Sequence, residues 1–164
     1  MKSYYLEEFG DEQQYCNFIE FMLKNSQYFS LVYDKGRKNT KMKSSVRFVY
    51  EALRPYKLYR ENTKKWPNTE TWDDSVYSLV FYKCDMNCEK ILKSAGNIFN
   101  WYQPDFPMDL CFYRDGYCWL AITAHEEMAV LYTDDEENVK NLQKLGADLS
   151  FCEETDDIYM WNGV

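Results

Sequence analysis

The chain holds a single histidine, His125, followed directly by Glu126 and Glu127. An imidazole beside a carboxylate is the smallest general-base arrangement, with the carboxylate orienting the ring and stabilising its cation. The competing reading is a histidine at the exit of a strand, hydrogen-bonded to backbone, and that reading is favoured here. A serine nucleophile needs an activating base, but there is no Gly-x-Ser-x-Gly elbow and no Ser-x-x-Lys. The sequence also lacks a Walker loop, a dinucleotide glycine fingerprint and a His-x-x-x-His pair. Carboxylate pairs of the glycosidase kind are available in so acidic a chain, yet no two are singled out. The expectation is therefore a protein that is not an enzyme and has no catalytic residues. A small enzyme with its site near His125 and Glu126 is the alternative, and a regulatory or scaffold module is a further one.

Metal and redox chemistry find little support. Cys84-x3-Cys88 lacks the two-residue knuckle spacing, and the other four cysteines are scattered. The N-terminal run Met1 to Glu8 has no apolar signal region, and no apolar run approaches membrane-spanning length. A cytoplasmic protein with reduced, mostly buried thiols, no metal, no cofactor and no membrane partner is expected.

Charge is the informative quantity. The net charge of −8 conceals an asymmetry between two regions. Residues 31–65 carry eleven Lys or Arg against Asp34, Glu51 and Glu61, a net of +8. Residues 120–164 carry eleven acids against Lys140 and Lys144, a net of −9. An acidic end of that size disfavours nucleic acid and favours a basic protein partner, chiefly by accelerating encounter. The basic loop at 35–43 is the one place where phosphate contacts would start, but no interleaved aromatics or glycine-rich cradle accompany it. The candidate partner-binding residues are Asp73, Asp74, Glu126, Glu127, Asp134, Asp135, Glu136, Glu137, Glu153, Glu154, Asp156, Asp157 and the aromatic Trp72.

These residues must be positioned by a scaffold, and its centre is Asp105 to Tyr132. Asp115-Gly116 lies between two apolar, aromatic runs, a strong hairpin signal because a type I′ turn needs positive φ at both central residues. The implied pairs are Arg114 with Tyr117, Tyr113 with Cys118, Phe112 with Trp119 and Cys111 with Leu120. One face then holds Cys111, Tyr113, Cys118, Leu120 and Ile122; the other holds Leu110, Phe112, Tyr117, Trp119, Ala121 and, at its far end, His125. Neither is polar, so the ribbon should lie mid-sheet, covered on both sides, with Met128–Tyr132 as a third strand. This ribbon is expected to be scaffold, with function at its margins: the loop 66–74, the connection 125–127 and the acidic helix beyond.

Helices are legible from their spacing. Tyr15, Phe18, Ile19, Met22 and Leu23 form one apolar stripe behind an Asp11 cap. Val46, Val49, Tyr50 and Leu53 form another, capped by Ser44 or Ser45 and stopped by Pro55. Cys88, Ile91, Leu92 and Ala95 mark a short third helix closed by Gly96. A capping box at Thr133–Glu136 opens a fourth, with Val139, Leu142 and Leu145 as its buried stripe and Gly146 as its end. Strands are expected at 28–33, 56–61, 76–83 and 149–152, and residues 1–9 read as an edge strand or a loose lead-in. Residues 62–75 read as a long turn-rich loop clamped by its tryptophans. The fold class is α+β: a single domain over 1–164, with a mainly antiparallel sheet and three to four helices packed on it.

Trp66-Pro67-Asn68-Thr69, the run Pro104 to Gly116, Trp119 and His125-Glu126 together resemble small bacterial proteins encoded beside polymorphic toxins as their immunity partners. The resemblance spans roughly residues 55–132. It implies a cytosolic bacterial protein that neutralises a cognate toxin by protein–protein contact. It maps no toxin-binding residue onto this chain. An acidic surface presenting carboxylates where a basic nuclease expects phosphates is the concrete form of that expectation, and oligomeric state is left open.

Overall fold

Apolar alternation and turn chemistry set the elements of the computed structural model, which describes residues 1–34 and 41–163. Most of the expected basic loop at 35–43 lies outside them. The strands are β1 (Lys2–Leu6), β2 (Tyr28–Asp34), β3 (Lys57–Thr63), β4 (Lys65–Trp66), β5 (Thr69–Glu70), β6 (Tyr77–Lys83), β7 (Met108–Arg114), β8 (Tyr117–Thr123), β9 (Met128–Tyr132) and β10 (Leu149–Glu154). The helices are α1 (Glu12–Asn25), α2 (Ser44–Leu53), α3 (Glu89–Lys93) and α4 (Glu136–Lys144). Eight strands form one antiparallel sheet in the order β10-β1-β9-β8-β7-β2-β6-β3, and β4 and β5 form a separate small hairpin. The architecture is the expected single-domain α+β one. Residues 1–9 differ from expectation, because β1 is an interior strand between β10 and β9.

Two apolar layers sandwich the sheet. On one face α1 buries Tyr15, Phe18, Ile19, Met22 and Leu23, the stripe read from spacing, and the Asp11 side chain accepts from the Gln14 N–H. α2 buries Val46, Val49 and Leu53. Its cap differs: Lys43 stands at the N-cap without a side-chain bond, while the Ser45 hydroxyl donates to the Pro104 carbonyl at 3.4 Å. The cap of α4 also shifts, to Asp135, which accepts from Glu137 N–H while Thr133 Oγ1 accepts from Asp135 N–H. Of the α4 stripe, Leu142 is buried, whereas Val139 and Leu145 are half-buried.

The hairpin turns at Asp115-Gly116 as the dipeptide predicts, both residues having positive φ. Arg114 pairs with Tyr117 and Tyr113 with Cys118, but Phe112 pairs with Leu120, leaving Trp119 as an extra residue. This bulge corrects the expected register and faces. Trp119 and Leu120 both turn toward the helices, followed by Ile122, while Ala121 joins Cys111, Tyr113 and Cys118 on the other side. The inserted tryptophan is held by Ser26 Oγ at 2.9 Å from its N–H and by the Arg114 guanidinium 3.7 Å above its ring. Bulges increase local twist and re-aim side chains, and here two adjacent residues are sent into one core layer.

No described helix covers the second face. Its layer of Val32, Leu79, Phe81, Cys111, Tyr113 and Cys118 is closed by the β4–β5 hairpin and the C-terminal tail. Trp161 stacks on Phe81 with centroids 3.9 Å apart and planes 6° apart, and meets Tyr28 edge-on. Backbone bonds fasten the tail, from Cys118 N–H to the Tyr159 carbonyl and from Trp161 N–H to the Gly116 carbonyl. The expected long loop at 62–75 therefore contains a hairpin. Trp66 clamps it to the sheet, while Trp72, 85 % exposed, clamps nothing.

Candidate binding groove

The hairpin and the tail leave hollows between them on the second face. Three adjoin, and Asn68, at the hairpin turn with φ +56°, lines all three. The largest, 630 Å³, lies between Glu70 and Lys65 of the hairpin and Asp157 and Met160 of the tail. The second, 370 Å³, lies between the hairpin and the turn carrying His125 and Glu126, with Asp73 and Tyr102 also on its wall. The third, 210 Å³, runs over β9 and β1 toward Glu153, with Asp157 shared. Together they make a groove bordered by Glu70, Asp73, Glu126, Glu153 and Asp157, with Lys65 its single Lys or Arg among the described residues.

Asp109 braces the second hollow from behind without lining it. It sits with φ +56° in a bulge of β7, where Asp109 and Leu110 together face Leu31 of β2. Its carboxylate is buried and accepts from Trp66 Nε1 at 2.8 Å and from the Ala124 N–H at 2.9 Å. One side chain thus ties the hairpin to the turn that carries His125. Burial pushes the carboxyl above its ordinary value, against the lowering effect of the two N–H donors. Tyr77 donates to Asp73 at 2.9 Å, and burial with that bond pushes its hydroxyl up to about 12.

His125 follows strand β8 in a short 3₁₀ turn closed by Glu127 in the left-handed conformation. Its Nε2 stands 3.7 Å from Glu126, and its ring lies 5.9 Å from the Tyr102 ring at 30°. The imidazole is therefore a surface group backed by an aromatic ring. Among the described residues, no hydroxyl or thiol is hydrogen-bonded to it.

The expected acidic residues fall into two groups at opposite ends of the strands. Asp73 and Glu126 meet at the second hollow, with Asp74 and Trp72 exposed on the same loop and Glu127 exposed beside the turn. Asp134, Asp135, Glu136 and Glu137 gather at the other end, where Asp134 accepts from Lys2 N–H at 2.8 Å and Glu136 meets Lys2 Nζ at 3.5 Å. Glu154 pairs in register with Lys2, and Glu153 with Ser3, so the β10 edge joins this group. Asp156 and Asp157 lie along the tail between them. The structure thus places these acids in two clusters, with the groove between them.

Sequence reasoning missed Asp109, Glu70, Tyr102 and Asn68. Only Asp109 carries a signal, a carboxylate inside the apolar run Met108 to Tyr113, which is costly to bury unless hydrogen-bonded. The exposed apolar residues Tyr5, Phe151 (59 %) and Met160 (63 %) lie beside the acids on β1, β10 and the tail.

All six cysteines are free, and among the described residues no group of three or more His, Cys, Asp or Glu is placed to hold a metal ion. No described helix is long and apolar enough to cross a membrane. Comparison with protein-family models, with curated proteins and with solved structures finds no match.

Proposed function

We propose that this is a non-enzymatic bacterial immunity protein that acts in the cytoplasm and neutralises a cognate basic toxin by binding it through the acidic groove and the adjoining β10 edge. The observation that carries this reading is the continuous groove edged by five carboxylates against one lysine, with exposed Tyr5 and Met160 at its margins. Such a surface combines electrostatic steering with apolar anchors, the two components of a fast and specific protein interface. A basic nuclease site is the partner chemistry that fits it best, because carboxylates can occupy positions evolved for phosphates.

The test is co-expression with a secreted toxin encoded by the neighbouring gene, together with purification of the complex. The wild-type chain protects growth and co-purifies. Reversing Glu70, Glu153 and Asp157 to lysine removes both effects while leaving thermal stability within about 1 kcal/mol, as expected for surface positions. Retained protection and binding in the triple variant would overturn the reading.

A further inference from the structure

From the 370 Å³ hollow between the β4–β5 hairpin and the His125 turn, we infer a built site for one arginine side chain of the protein partner, its guanidinium stacking on Tyr102 and pairing with Glu126 and Glu70. The inference rests on the binding-protein reading above and deepens it.

Three features point to a guanidinium. The Tyr102 ring is 45 % exposed, lines the hollow and stacks on the His125 ring with centroids 5.9 Å apart, so part of an aromatic surface stays open to a ligand. Cations are drawn to such faces, and the planar guanidinium adds stacking that an ammonium lacks. Glu126 and Glu70 keep carboxylate oxygens for bidentate contact, since among the described residues their side chains meet only the long His125–Glu126 approach of 3.7 Å. Asp73 plays a different part. Its oxygens already accept from Tyr77 Oη and the Ser75 N–H, so it supplies charge to the wall rather than free acceptors.

The hollow is also pre-formed, which reduces the ordering needed on binding. Asp109 holds Trp66 and Ala124 on its two sides, fixing the distance between the hairpin wall and the turn wall. No described Lys or Arg lines the hollow; nearby Lys64 donates to the Asp73 carbonyl. A positive side chain of a partner is therefore the group that completes it.

The probe is N-acetyl-arginine methylamide, titrated into the full chain and followed by NMR at the Trp66 indole N–H and the Glu126 amide, with the norleucine analogue as the uncharged control. The arginine probe should give saturable shifts with a dissociation constant of about millimolar strength, typical of one side chain. Tyr102→Ala and Glu126→Gln, both at partly exposed positions, should each weaken it about five- to tenfold. Absence of saturation, equal shifts from the norleucine analogue, or unchanged affinity in both variants would overturn the site. The two readings separate cleanly. If the Glu153/Asp157/Glu70 reversals abolish toxin binding but the arginine probe does not bind, the arginine site falls and the groove stands. If the probe binds and reversing Glu153 and Asp157 alone, which leaves the hollow untouched, keeps toxin binding intact, the site stands and the groove reading falls.

Discussion

At the scale of single residues, Asp109 concentrates the physics of the site. It is a buried carboxylate on a left-handed backbone, and its two accepted hydrogen bonds join elements distant in sequence. Asp109→Ala leaves the Trp66 and Ala124 N–H groups without an acceptor and should destabilise the fold by about 2–4 kcal/mol, read as a shift in the urea midpoint. The pH dependence has a definite sign. The folded carboxyl titrates above its ordinary 3.8, so between those values the folded state holds more protons than the unfolded one. Stability from this group therefore falls as pH rises. The stability advantage of wild type over Asp109→Asn, measured by urea unfolding, should be larger at pH 4 than at pH 7. A constant or widening advantage with rising pH would contradict the burial argument. The run Met108-Asp109-Leu110 announced an anomaly, but which N–H groups it serves depends on a bulge and on a hairpin forty residues away.

At the scale of elements, the tail does the work usually done by a helix layer. Trp161 lies flat on Phe81 and edge-on to Tyr28 and Tyr113. Trp161→Ala should cost about 2 kcal/mol, since the side chain is half-buried rather than core, lowering Tm by about 4–8 °C. No change in Tm would show that the strap contributes nothing to closing the second face.

Much of this level was legible from pattern. The α1 stripe, the Asp115-Gly116 turn, the meander and its mid-sheet position follow from period and turn chemistry, which are local properties of the chain. The register of the meander was not legible, because the Trp119 bulge is fixed by Ser26 and Arg114 across the structure. Likewise the loop at 62–75 hid a hairpin. Its two-residue strands have no period to detect and are held by Trp66 reaching Asp109. The margins named from sequence, residues 66–74 and 125–127, do meet at one hollow. The acids beyond them divide between two ends of the strands, which charge counting along a chain has no means of showing.

At the scale of the molecule, the sheet order turns a charge asymmetry in sequence into one in space. The β3 edge carries Lys57 and Arg60 against Glu61, and the β10 edge carries Glu153 and Glu154. Seven strand spacings separate them, about 34 Å, well beyond the screening length of about 8 Å at physiological salt. For the basic partner proposed above, steering toward the β10 side would therefore proceed without cancellation from the far edge.

The measurement that tests this most directly is the association rate with the neighbouring-gene toxin, followed by stopped flow as salt is raised. The rate should fall at least about tenfold between 50 mM and 500 mM salt, and reversing Glu136, Glu137, Glu153 and Glu154 to lysine should slow it by a similar factor at low salt without unfolding the chain. A rate insensitive to both salt and these reversals would contradict an acidic binding surface.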